Sequence, residues 1–193
     1  MPEPRSLKFY QADVFTGQPF GGNPVAVFPE ALGLTDDQLQ RIAREMNLSE
    51  TVFVLPPTDG AAVVRLRIFT PTQELPFAGH PVLGTFYVLA EIGMIAATDG
   101  ITRVMQECNI GLFPVELHAQ DGQVTQVVMT QPKPEFLGPV DKVENLYAIA
   151  NALGVPKYVI SDMKWPIEVV STGFPVLIVP VRTLTAVRSI RPD

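Results

Sequence analysis

The start of an apolar helix is predicted within residues 76–85, which read Pro-Phe-Ala-Gly-His-Pro-Val-Leu-Gly-Thr. Pro81 suits the first turn of a helix, because its φ is fixed and its missing N–H needs no partner there. The apolar residues that follow extend the predicted helix to about Ile92. The one titratable side chain in this stretch is the imidazole of His80. The sequence therefore places a single ionisable group at the N-terminus of an otherwise apolar helix.

A second ionisable group lies in similar surroundings within residues 47–51, which read Asn-Leu-Ser-Glu-Thr. Glu50 follows a predicted helix over residues 36–46 that Thr35 caps, and it precedes a predicted strand over residues 51–55. A carboxylate and an imidazole among apolar residues are groups that proton-transfer chemistry uses. The alternative for Glu50 is a solvated residue at the end of a strand.

The start of the apolar helix is also a candidate anion site. The amides of Gly79 and His80 are expected to point into the space before the helix, where a carboxylate can dock. His80 is then a candidate to hold a substrate carboxylate or to donate a proton, and the alternative is a histidine that only caps the helix. Asn23 follows two glycines, which allow the backbone to approach a ligand closely, and the alternative there is a plain tight turn.

The composition excludes several classes of protein. With 47% apolar and 18% charged residues, the 193-residue chain is globular. Its formal net charge of −6 and lack of a basic cluster argue against nucleic acid as a partner. Two histidines and one cysteine at wide spacing predict no metal site, and Cys108 is predicted to be a small buried hydrophobe. No signal-peptide or membrane-spanning pattern is found, so a cytoplasmic protein without a membrane partner is expected.

A weak internal repeat divides the chain. Residues 15–20, Phe-Thr-Gly-Gln-Pro-Phe, resemble residues 171–176, Ser-Thr-Gly-Phe-Pro-Val. Each stretch follows a predicted strand and leads to an apolar strand that ends at a proline. The repeat predicts an N-terminal domain over residues 1–117 and a partial C-terminal domain over residues 118–193, which lacks a counterpart of the helix that begins at Pro81.

Several ordered segments resemble the phenazine biosynthesis-like isomerases, the PhzF-type family. The resemblance rests on residues 13–15, 22–28, 40–51, 53–54, 67–71 and 74–81. It implies an α+β fold like that of diaminopimelate epimerase, with two similar lobes, each a curved mixed sheet around a central helix. The second lobe is expected to be incomplete.

The resemblance also implies a function. Glu50 would move a proton on a small carboxylate-bearing metabolite, and Asn23, Gly79, His80 and Pro81 would bind that substrate. No metal, nucleotide or pyridoxal cofactor is implied, and the family forms homodimers. The alternative is a truncated, catalytically incomplete relative that acts as a binding module or is a gene fragment and that associates with itself through the incomplete lobe.

Overall fold

The structure, a computed structural model, describes residues 6–161 and 164–192 of the chain. It divides into two compact units, Met1–Gln131 and Pro132–Asp193. Each unit contains both helices and sheet strands, which confirms the predicted α+β class. None of the helices in the described ranges is long and apolar enough to cross a bilayer.

The first unit is built on one mixed sheet. Its elements in chain order are β1 (Tyr10–Val14), β2 (Asn23–Phe28), α1 (Asp36–Met46), β3 (Glu50–Leu55), β4 (Val64–Phe69), β5 (Glu74–Leu75), α2 (His80–Glu91), β6 (Gly100–Cys108), β7 (Gly111–Gln120) and β8 (Gln123–Met129). The strand order is β1-β2-β3-β4-β6-β7-β8, and β5 pairs with β4. The pairs β2–β3 and β4–β6 are parallel, and the other neighbours are antiparallel.

The sheet curls around α2. This helix contacts β1, β2 and β3 at one end of the sheet and β7 and β8 at the other. Val82 and Phe86 of α2 are fully buried between these strands. A Cβ at Gly84 would lie 2.5 Å from Val25 Cγ1 and 2.9 Å from Val14 Cγ2, so glycine is needed where α2 meets β1 and β2. Because α2 is enclosed on several sides, its sequence is apolar rather than amphipathic.

Local signals set the bounds of α1. The predicted capping box is present: the Gln38 N–H donates to Thr35 Oγ1 at 3.3 Å, and the Thr35 N–H donates to Gln38 Oε1 at 2.9 Å. Asn47 ends the helix with φ 50°, in the left-handed region that asparagine tolerates. The chain then turns, and β3 begins at Glu50.

The boundary between the units lies later than predicted. Residue 117, the end of the predicted N-terminal domain 1–117, lies inside β7. There Leu117 pairs with Val127 of β8 and His118 pairs with Gln126. Because β8 also packs on α2, both strands belong to the first unit, which extends to Gln131. The predicted domains 1–117 and 118–193 are corrected accordingly.

The second unit is smaller. Its elements are β9 (Glu135–Pro139), α3 (Val143–Ala152), α4 (Tyr158–Ser161), β10 (Glu168–Ser171), β11 (Pro175–Ile178) and α5 (Leu184–Ser189). The strands form an antiparallel sheet in the order β11-β10-β9. The order β10-β11-α5, with Thr183 as N-cap, matches β1-β2-α1 with Thr35 as N-cap. The structure therefore shows the element order on which the predicted repeat rests.

Cys108 lies at the end of β6 as a free, buried thiol that is 5% exposed. Its Sγ donates a weak hydrogen bond to the Gly111 carbonyl oxygen at 3.5 Å. Burial raises the pKa of this thiol, which disfavours the reactive thiolate. The prediction of a small buried hydrophobe at Cys108 is confirmed.

Candidate active site

Three elements of the first unit begin at the candidate site. Asn23 is the first residue of β2, Glu50 the first of β3 and His80 the first of α2. β2 and β3 are parallel, with Val25 opposite Glu50, so both strands start at the same edge of the sheet. Side chains alternate along a strand, so Asn23 and Glu50 share a face with Val25 and Val52, which pack on α2. The fold thus brings together three residues that are distant in sequence.

Glu50 and His80 face each other. Glu50 Oε2 lies 3.3 Å from His80 Nε2, and the two side chains are 18% and 9% exposed. The two atoms are close but are not aligned as a hydrogen bond, and neither has a hydrogen-bond partner among the described residues. Buried polar atoms left unpaired are costly. A ligand that hydrogen-bonds to both would remove that cost.

Nδ1, the other nitrogen of the His80 ring, is held by a series of hydrogen bonds. Asn23 Nδ2 donates to His80 Nδ1 at 3.1 Å. The Ser49 hydroxyl in turn lies 3.2 Å from Asn23 Oδ1 and 3.4 Å from the Pro24 carbonyl oxygen. No sequence pattern indicated a role for Ser49, although this residue directly precedes Glu50.

The charge state of His80 follows from its burial. Desolvation lowers the pKa of the ring below its ordinary value, while the Glu50 carboxylate and the Pro24 carbonyl oppose that shift. Desolvation is the largest of these effects, so the ring is neutral at pH 7.

The start of α2 offers backbone donors. Gly79 is the N-cap, and its carbonyl accepts the N–H of Val82 at 3.1 Å. The N–H groups of Gly79 and His80 precede that first bond and have no partner within the helix. Pro81 is buried and has neither an N–H nor a polar side chain, so it shapes the first turn and offers a ligand no hydrogen bond.

The glycines before Asn23 serve the protein's own backbone. A Cβ at Gly22 would lie 2.3 Å from the Val14 carbonyl oxygen, so the close approach is to β1. The turn is further held by the Phe20 N–H, which donates to Asp13 Oδ2 at 2.6 Å. The close approach of the backbone, which was predicted to serve a ligand, is therefore made to β1, and Asn23 contacts His80 through its side chain.

Other groups lie outside this site. His118 Nε2 is 3.3 Å from Glu116 Oε2 on the same strand, β7. A groove of about 960 Å³ between β1 and β8 is lined by neither Glu50 nor His80. Within residues 6–161 and 164–192, no three His, Cys, Asp or Glu side chains are grouped to hold a metal ion. The described groups at the site are a carboxylate, a neutral imidazole and backbone amides.

Sequence comparison shows that this chain is similar to one family of proteins. A sequence model described as phenazine biosynthesis-like protein matches residues 12–193. The chain is 42% identical over 182 residues to a trans-2,3-dihydro-3-hydroxyanthranilate isomerase of Pseudomonas chlororaphis, covering 94% of this chain and 59% of that protein. It is 40% identical over 187 residues to the protein of the same name from Pseudomonas aeruginosa, covering 96% and 61%. The chain thus spans about three-fifths of the length of these curated relatives.

Solved structures agree. A predicted epimerase from Pseudomonas aeruginosa superposes with a TM-score of 0.83 at 32% identity, covering 97% of this chain and 64% of that one. A phenazine biosynthesis protein of the PhzF family from Bacillus anthracis gives 0.77 at 30% identity, covering 97% and 60%. A probable proline racemase from Agrobacterium radiobacter, at 0.59 and 16% identity over 82% and 48%, shares the fold alone. The predicted epimerase-like fold is confirmed.

Proposed function

The chain belongs to the phenazine biosynthesis-like protein family, and on that premise we propose that it is an isomerase that moves a proton on a small carboxylate. The observation that carries the proposal is the pair Glu50 Oε2 and His80 Nε2, which lie 3.3 Å apart, buried and without a hydrogen-bond partner among the described residues. The relatives' isomerase names support the reaction type.

Glu50 is the proposed proton carrier. Its carboxylate removes a proton from a substrate carbon, and the electron pair of the broken C–H bond delocalises into adjacent unsaturation. The protonated Glu50 then returns a proton to a different carbon, which completes an isomerisation without net oxidation or reduction. A positioned general base of this kind contributes about 10²–10⁴-fold to a rate.

His80 and the start of α2 are the proposed anion site. The amides of Gly79 and His80 lie at the positive end of the helix dipole, which favours a carboxylate. The neutral His80 ring adds a side-chain hydrogen bond to the same substrate. The developing negative charge is thereby stabilised beside the base that creates it.

The proposed substrate is an unsaturated carboxylate. Two of the relatives are named for trans-2,3-dihydro-3-hydroxyanthranilate, a partly reduced ring that carries a carboxylate. A compound of this kind has a C–H bond next to a double bond and an anionic group for the helix start. It is therefore the first compound to test, followed by a panel of small α-acidic carboxylates.

The experiment measures deuterium incorporation from heavy water into these carboxylates. We expect exchange by the parent protein and a loss of about 10²–10⁴-fold in Glu50→Gln, which keeps the side-chain shape but removes the base. Glu45→Gln is the matched control, because Glu45 is an exposed glutamate on α1 outside the site. Circular dichroism and hydrogen exchange of both variants establish that the fold is retained.

Two results would contradict the proposal. Equal exchange in Glu50→Gln and the parent would remove Glu50 from the mechanism. Saturable binding of a carboxylate without any exchange in the parent would make the chain a binding protein rather than an isomerase.

A further inference from the structure

We propose that Ser49 and Asn23 fix the tautomer of His80, so that the neutral ring carries its proton on Nε2 and presents an N–H to the space beside Glu50. This inference rests on the proposed function, because it assigns His80 the role of hydrogen-bond donor and leaves Glu50 as the base. Ser49 and Asn23 are then positioning residues that act through His80.

The first step is the orientation of the Asn23 amide. The Ser49 hydroxyl has one hydrogen, and its nearer acceptor is Asn23 Oδ1, at 3.2 Å against 3.4 Å for the Pro24 carbonyl oxygen. Donation to Oδ1 places the NH₂ group of the same amide against His80. The Asn23 Nδ2 to His80 Nδ1 distance of 3.1 Å is a hydrogen-bond distance.

The second step is the tautomer. An amide NH₂ group only donates, so His80 Nδ1 must offer a lone pair, and the proton of the neutral ring must be on Nε2. Burial keeps the ring neutral, because desolvation lowers its pKa. The Pro24 carbonyl oxygen also contacts the ring and raises its pKa, but desolvation outweighs that contact, and the Asn23 amide nitrogen lies 3.1 Å from Nδ1.

The third step is the direction of the hydrogen bonds. Each group donates to the next: Ser49 to Asn23, Asn23 to His80, and His80 through Nε2 into the site. Nε2 lies 3.3 Å from Glu50 Oε2, and both atoms still lack an aligned partner among the described residues. A substrate oxygen that accepts from Nε2 therefore places the adjacent carbon beside the Glu50 carboxylate.

The test is a nitrogen-15 NMR measurement on protein labelled in its histidines. The chain has two histidines, and His118→Gln leaves a single set of ring signals from His80. We expect the proton on Nε2 and the chemical shift of an unprotonated nitrogen at Nδ1. This readout reports the tautomer whether or not the protein turns over a substrate.

The substitution Asn23→Asp should reverse the tautomer of His80, and it hardly changes the shape of the side chain at residue 23. A carboxylate at residue 23 can only accept, so Nδ1 should carry a proton; above the ring pKa, which the added carboxylate raises, the neutral ring should have its proton on Nδ1 and its Nε2 lone pair facing Glu50. Deuterium exchange should then fall by about 10²–10⁴-fold although Glu50 is intact, as in other sites where the wrong histidine tautomer is present. Ser49→Ala should give a mixture of both tautomers, and Ser49→Thr, which restores the hydroxyl, should return the Nε2–H form.

Failure of this inference is separable from failure of the proposed function. A proton on Nδ1 in the His118→Gln protein, or identical ring signals after Asn23→Asp, would overturn the tautomer assignment even if exchange is seen. The expected tautomer together with no exchange on any carboxylate would support the tautomer assignment and contradict the proposed isomerase function.

Discussion

The strands β2 and β11 occupy equivalent places in the two units but differ in burial. Each is an apolar strand that follows a Thr-Gly turn and pairs antiparallel with the strand before it. Val25 and Val27 of β2 are fully buried, whereas Val176 and Ile178 of β11 are each 47% exposed. In the first unit α2 covers the inner face of β2. The comparison shows that an apolar strand sequence does not set burial by itself; the element packed against it does.

The largest expected loss of stability comes from truncating Phe86, a side chain of α2. Phe86 of α2 is fully buried, whereas Phe174 of the second unit is 40% exposed. Phe86→Ala should destabilise the first unit by about 3–5 kcal/mol, because it removes a large buried side chain and leaves a cavity. Phe174→Ala should cost about 0.5 kcal/mol or less.

Urea unfolding followed by hydrogen exchange of the β2 and β11 amides measures both effects separately. If Phe86→Ala left the β2 amides as protected as in the parent, the role given to α2 in the comparison would be wrong.

A smaller test alters the distance between α2 and β2. A methyl group at Gly84 would meet Val25 Cγ1 at 2.5 Å, whereas one at Gly60 would meet nothing within 4 Å. Gly84→Ala should therefore cost about 1–3 kcal/mol through overpacking, despite the better helix propensity of alanine.

Gly60→Ala is the matched control and should leave stability within about 0.5 kcal/mol. Thermal melting of the two variants provides the measurement. Equal melting temperatures would contradict the close packing of α2 on β2.

The smallest expected effect is a pH dependence confined to the first unit. Both histidines lie in that unit, at residues 80 and 118. Burial lowers the pKa of His80 in the folded state, so the unfolded chain binds the proton more readily. The contribution of His80 to the free energy of unfolding is therefore fully present above the ordinary pKa of about 6.5. It is lost as the pH falls through that value toward the folded pKa.

Urea midpoints of the first unit between pH 7.5 and 5.5, read from the exchange of α2 amides, measure this loss. His80→Gln should remove most of the dependence and His118→Gln should retain it. The pKa values of Glu74 and Glu116 are lowered by Arg67 and Arg103, so their contributions persist to more acidic pH. A dependence that survives in His80→Gln would contradict the assignment.

The features that local chemistry determines were predictable from the sequence. The capping box at Thr35 gives the start of α1, and Pro81 marks the first turn of α2. Glu50 and His80 were identifiable because each is an ionisable residue within an apolar segment.

Features that depend on strand pairing were not predictable. Ser49 gains its role only because the parallel pairing of β2 and β3 brings it beside Asn23. The end of the first unit at Gln131 depends on the pairing of β7 with β8 and on the packing of β8 against α2. No local pattern near residue 117 reports those distant contacts.

Because Cys108 is buried, the rate at which a thiol reagent labels it depends on local opening of the first unit. Cys108 is the one cysteine in the chain, and its thiol is shielded at the end of β6. A thiol reagent in excess reacts with it only when that edge of the first unit opens, so the labelling rate counts openings directly. The one tryptophan, Trp165, is an exposed residue of the second unit and needs no opening to be quenched. The chain thus carries one native probe in each unit: Cys108 labelling depends on opening of the first unit, and Trp165 is accessible in the second unit without any opening.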